Sequence, residues 1–100
     1  TMSKAREALD RQLVCFKAFL RTILPKEKQS LADEFEAMKL DDFIYYFGTM
    51  VVPFINTPSI LTDNIMTKYD LNEGDIDKAD IVKLEKILPL LAKLVQRISD

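Results

Sequence analysis

Residues 70–80, DLNEGDIDKAD, gather five acids, Asn72 and Gly74 into eleven positions. Oxygen donors so dense suit a hard cation, calcium foremost, which draws its ligands from carboxylates, amide side chains and backbone carbonyls. Two other sets of residues invite a chemical reading. Cys15 is the single thiol of the chain, and a thiolate is a nucleophile when a neighbour activates it. The neighbouring carboxylates Asp41-Asp42 and Glu34/Glu36 could serve general acid–base chemistry if a pocket desolvated them.

Spacing weakens each of these. A helix–loop–helix calcium loop places ligands at positions 1, 3, 5 and 12, with Gly at position 6. Counting from Asp70 puts Asn72 at position 3, but Gly74 arrives one place early and Ile81 takes the closing position. Setting Gly74 at position 6 aligns Glu73 and Asp80 with positions 5 and 12, yet leaves Tyr69 and Leu71 where carboxylates are needed. The stretch therefore resembles an EF-hand or dockerin-type loop with one residue deleted. That likeness would make Asp70, Asn72, Glu73, Asp75 and Asp80 weak calcium ligands. The simpler expectation is a turn at Gly74 with positive φ, then a helix capped by Asp75 or Asp77. Neither a resident metal nor a cofactor is expected.

Cys15 lies mid-helix in LVCFKAF, and the chain has no His to serve as its base. Arg11, one turn away, would favour a thiolate without taking a proton. Cys15 is expected to be a small packing residue. The carboxylate pairs fall at helix starts or on exposed faces, and Gly48 and Gly74 are too far apart to build a phosphate-binding loop. With no catalytic constellation, the chain reads as a non-enzyme.

Composition places it among globular proteins: 48% of residues are hydrophobic and 30% charged, with a net charge of −2. One hundred residues suffice for one domain, expected to span 1–100. Thr1 before Met2 reads as a cloning remnant, with the native start at Met2. Charge is uneven, near +4 over residues 1–30, −8 over 31–77 and +2 over 78–100. So strong an acidic middle argues against nucleic acid, which needs a basic surface. One Cys excludes an intrachain disulfide, and no apolar run reaches the ~20 residues of a membrane span. An intracellular, cytoplasmic location is the expectation.

The elements follow from periodicity. Leu9, Leu13, Phe16, Leu20 and Ile23 recur at helical spacing, with Phe19 and Leu24 widening the stripe, Ser3 as N-cap and Pro25 as terminator. A second helix is expected from Pro25 through Lys39, carrying Leu31, Phe35 and Met38 inward. Asp41-Asp42 then cap a third, whose residues 43–55 hold no charge at all. That run is apolar on every side, so its period cannot separate helix from strand. Its length, its caps and the lack of a partner strand favour a helix, frayed or kinked near Pro53. Thr57 and Pro58 open a fourth helix with Leu61, Ile65 and Tyr69 inward. The last lies in residues 75–98 with Leu84, Ile87, Leu88, Leu91, Leu94, Val95 and Ile98 on one stripe, and Pro89 is expected to kink or divide it. The fold class is all-α, an irregular bundle of about five helices around segment 43–55.

The order of FLRTILPKEKQSLADEF, DDF and INTPS resembles that of harmonin-homology domains, which would imply a small bundle taking a partner helix in an apolar groove. The residues alone point the same way. A domain this small cannot easily cover all sides of segment 43–55, and Tyr and Met favour interfaces. Phe16, Phe19, Leu20, Tyr45, Tyr46 and Met50 are the expected partner-binding residues. The function expected is a regulatory protein-interaction domain that binds a helix of another protein, or a second copy of itself. The alternatives are a weak calcium-responsive module and a small-ligand or lipid carrier.

Overall fold

A computed structural model describes residues 3–99, so the expected start at Met2 lies outside the described residues. These residues form five α-helices and no strand: α1 Lys4–Ile23, α2 Gln29–Ala37, α3 Leu40–Met50, α4 Pro58–Lys68 and α5 Lys78–Ser99. None of them is long and apolar enough to cross a membrane.

Helix α1 is set by its caps and its stripe. The Ser3 hydroxyl accepts from the Arg6 amide, and Leu9, Leu13, Phe16, Leu20 and Ile23 are all buried. The next helix begins later than Pro25 suggested. A 3-10 turn at Lys26–Lys28 intervenes before α2, a common opening for a helix. Gln29 explains the delay. Its side-chain amide donates to the carbonyls of Leu24 (2.9 Å) and Arg21 (3.2 Å), satisfying the exposed end of α1. Arg21 reinforces this corner through Asp33 and Glu36, at 2.8 and 2.7 Å.

Segment 43–55 is helical only to Met50, then tightens into a 3-10 turn at Val52–Phe54 around Pro53. Phe43, Phe47 and Val51, each four residues apart, are completely buried. Asp41 and Asp42 sit in the first turn of α3 and not at its cap, which is Lys39. There their charges still complement the helix N-terminus. Thr57 occupies the cap position of α4, but its hydroxyl turns back to the Phe54 carbonyl and caps nothing.

One expectation about the acidic loop is corrected. Gly74 does not take positive φ; Asp70 does, at 53°. Asp70 follows the end of α4, where its amide donates to the Thr67 carbonyl and that of Leu71 to the Met66 carbonyl, at 3.2 and 2.8 Å. This pair of bonds is the Schellman arrangement, whose left-handed residue is usually Gly but can be Asp or Asn, the side chains that best tolerate that region. Leu71 is then buried beneath the turn. Asp77 closes the loop by accepting from the Ala79 amide at 3.0 Å.

Helix α5 runs through Pro89 as one element rather than two. Proline there removes one backbone bond, but Leu84 and Leu88 before it and Leu91, Ala92 and Val95 after it are all buried. Packing on both sides holds the helix together. Its most extensive partner is α1, so the first and last helices pair directly. Helix α3 packs against the same element: a Cβ added to Gly48 would lie 3.9 Å from the Val95 Cγ1, an ordinary contact. Gly48→Ala is therefore expected to stabilise the fold by about 0.5–1 kcal/mol, because it removes the entropy cost of an interior helical glycine. Thermal unfolding should show a midpoint several degrees higher; a lower midpoint would mean that α3 and α5 approach too closely for a methyl group.

Candidate functional site

Exposed apolar side chains are scattered over the surface, at Val14, Tyr45, Met50, Ile60 and Val82, but an apolar groove lies between α1 and α5. Both helices carry more hydrophobic arc than their neighbours cover. On α1, Phe19 stands beside the buried stripe and is half-exposed; on α5, Ile87 and Leu94 are half-buried and Leu90 is 61% exposed. Together they line an open groove of about 590 Å3. Phe16 and Leu91, 4% and 2% exposed, make its floor. Gln12 and Cys15 form the α1 edge, and Lys83, Lys93 and Arg97 stand along α5. A volume of this size lies in the range of ordinary ligand pockets, but this one is a surface trough between two helices.

The six expected partner-binding residues do not share one surface. Phe16 and Phe19 line the groove, whereas Leu20 is buried and borders a small void inside the core. Tyr45 projects into solvent at 75% exposure, and Met50 is 43% exposed; neither lines the groove. Tyr46 belongs to an aromatic cluster. Its ring lies edge-on to Phe35 at 6.1 Å, and Lys68 Nζ sits 4.2 Å above it. The Tyr69 hydroxyl donates to that of Tyr46 at 3.5 Å. Burial, followed by that hydrogen bond, pushes the Tyr69 phenol well above its ordinary pKa and keeps it neutral. This cluster fastens α4 to α2 and α3 and exposes no reactive group.

Cys15 corrects another expectation: it is exposed, not a packing residue. The helical period explains this. Phe16 takes the inward position, and Cys15 is turned to the groove's edge. The residues that sequence reasoning missed are Leu90 and the cations of α5. The signal was available in the width of the apolar arc. From Leu90 round to Leu88, at about 100° per residue, it spans nearly half the helix, more than one neighbouring helix can cover.

The acidic groups occupy structural positions. Asp41 pairs with Arg6 at 2.8 Å, and Glu36 with Arg21. Hydrogen bonds from Arg21 to Glu36 and Asp33 raise the guanidinium's pKa and hold it charged. In the loop, Asp75 Oδ2 accepts from the Asn72 amide at 2.7 Å, and the Asp70 carbonyl accepts from Lys28 at 2.8 Å. Among the described residues no three acidic or thiol groups converge as metal ligands would. Asp70, Asn72, Glu73, Asp75 and Asp80 are thus spread along a turn and the start of α5. Comparison of the chain with protein-family models, with curated proteins and with solved structures found no match.

Proposed function

We propose that the protein is an interaction domain that receives a helix of another protein in the groove between α1 and α5. The observation that carries this reading is the groove itself: an apolar floor and walls running along two packed helices, with Leu90 left 61% exposed on its side. A third helix laid there would bury that surface as a helix buries its apolar stripe in any bundle, through residues at i, i+3/i+4 and i+7. From Lys83 to Arg97 the groove follows α5 for about 20 Å, or four turns. That length suits a peptide helix and exceeds what a compact metabolite requires. The site differs from the one expected at 43–55, because Phe43, Phe47 and Val51 are consumed by the core.

The single thiol supplies the test. Cys15 lies at the groove edge and is exposed, so a bulky maleimide attached there would obstruct an occupant without touching the core. A display library of short amphipathic helices is panned against the protein and again against the Cys15-capped form. Helices recovered by the first and lost by the second support the reading. If no helix is sensitive to the cap, the groove is not a helix-binding site.

A further inference from the structure

We infer that the groove selects an acidic amphipathic helix, with carboxylates along one edge and an apolar stripe beneath; this specification rests on the helix-binding reading above. The charge on the groove has one sign. Its lining includes Lys83, Lys93 and Arg97 and no Asp or Glu. Among the described residues neither Lys93 nor Arg97 has an acidic partner within ion-pair distance, and Lys83 has only a 4.0 Å approach to Asp80. Residues 78–100 carry an excess of positive charge in a chain of net −2, and the groove gathers Lys83, Lys93 and Arg97 from that segment.

The placement of the cations narrows the ligand. At about 100° per residue, Lys93 and Arg97 fall one turn apart on the edge of α5 facing away from its buried stripe. Lys83 lies at the groove's other end, about 15 Å from Lys93 along the axis. Opposite them the α1 edge is neutral, with Gln12 and Cys15. A fatty acid would fit the apolar floor, but it has one carboxylate and could satisfy one end only. A helix with two acids one turn apart and a third near its other end meets all three cations while its apolar side fills the trough. A second copy docked across a twofold axis would oppose like charges, since an isologous contact brings each patch against itself. The acidic helix is therefore the occupant that the charges fit.

The test fixes Leu at the inward positions of an 18-residue helix library and varies both edges among Glu, Gln and Lys. The expected result is that cap-sensitive helices carry Glu along one edge and bind about tenfold more tightly than their Gln counterparts, as three partly exposed ion pairs would give. Raised salt should shrink that ratio. The double variant Lys93→Glu/Arg97→Glu should transfer the preference to Lys; the milder Lys93→Gln/Arg97→Gln should abolish it, with helicity by circular dichroism as the control on folding. Cap-sensitive helices with Gln or Lys edges would overturn the acidic specification and leave the helix-binding reading standing. An absence of cap-sensitive helices would overturn both. Stronger shielding of Cys15 from maleimide by palmitate or phosphatidylglycerol vesicles than by any helix would overturn the proposal in favour of an acyl chain or a membrane surface. Concentration-dependent shielding in the protein alone would overturn it in favour of a second copy.

Discussion

Phe47→Ala is expected to cost the fold about 3–5 kcal/mol, the range for emptying a buried aromatic site. Phe47 is completely buried. Its ring stacks on Phe43 with centroids 4.1 Å apart, meets Phe16 edge-on at 6.3 Å and lies 5.9 Å from Tyr46. It therefore joins α3 to α1, and its removal would break all three ring contacts. A small domain has about 5–15 kcal/mol in total, so the variant should lose a large share of its stability. Urea titration followed by circular dichroism should place its midpoint about 2 M lower. Tyr45→Ala, two residues away but 75% exposed, should shift stability by no more than about 0.5 kcal/mol. Equal losses at the two positions would mean that α3 is rotated from the orientation described here.

Leu90→Gln should separate binding from folding. Leu90 is 61% exposed on the groove wall, so replacing it removes little core, and Gln is nearly as good a helix former. Stability should change by no more than about 0.5 kcal/mol. An occupant of the groove would cover what remains exposed of this side chain, a contribution of about 1–2 kcal/mol. The affinity of a cap-sensitive helix should fall about 5- to 30-fold, measured by fluorescence anisotropy of the labelled peptide. Unchanged affinity would remove α5 from the binding surface. Gln is preferable to Asp here, because an acid at position 90 would pair with Lys93 one turn away and confuse charge with burial.

The helices were legible because their signals are local. Ser3, Pro25, Pro58 and Asp77 mark starts and stops through backbone chemistry within a few residues. The spacing of Leu9, Leu13, Phe16 and Leu20 reports one buried face without knowledge of what covers it. Segment 43–55 was legible in kind but not in orientation. Its apolar residues surround the helix, so only packing distinguishes buried Phe47 from exposed Tyr45. The turn at Asp70 was misplaced because Gly74 is the more permissive residue. The Schellman bonds depend on where α4 ends, and that is decided by Tyr69 and Leu71 reaching the core. The groove was the least legible feature. It depends on α1 lying beside α5, a pairing of helices far apart in sequence that no local pattern encodes. Once that pairing is known, Phe19 and Leu90 become intelligible as the unused margins of two stripes.

That same pairing governs how the protein must be made. Helix α1 leaves the ribosome well before α5, and its stripe of Leu9, Leu13, Phe16 and Leu20 has its main cover in that later helix. At roughly 5–20 residues per second, several seconds pass during which an apolar helix has emerged and its partner does not yet exist. Native closure thus waits for α5, and a chain stopped short of that helix would leave the stripe open to aggregation or to a chaperone. The fold is secured by the pairing of α1 with α5, and the nascent chain is vulnerable for the same reason.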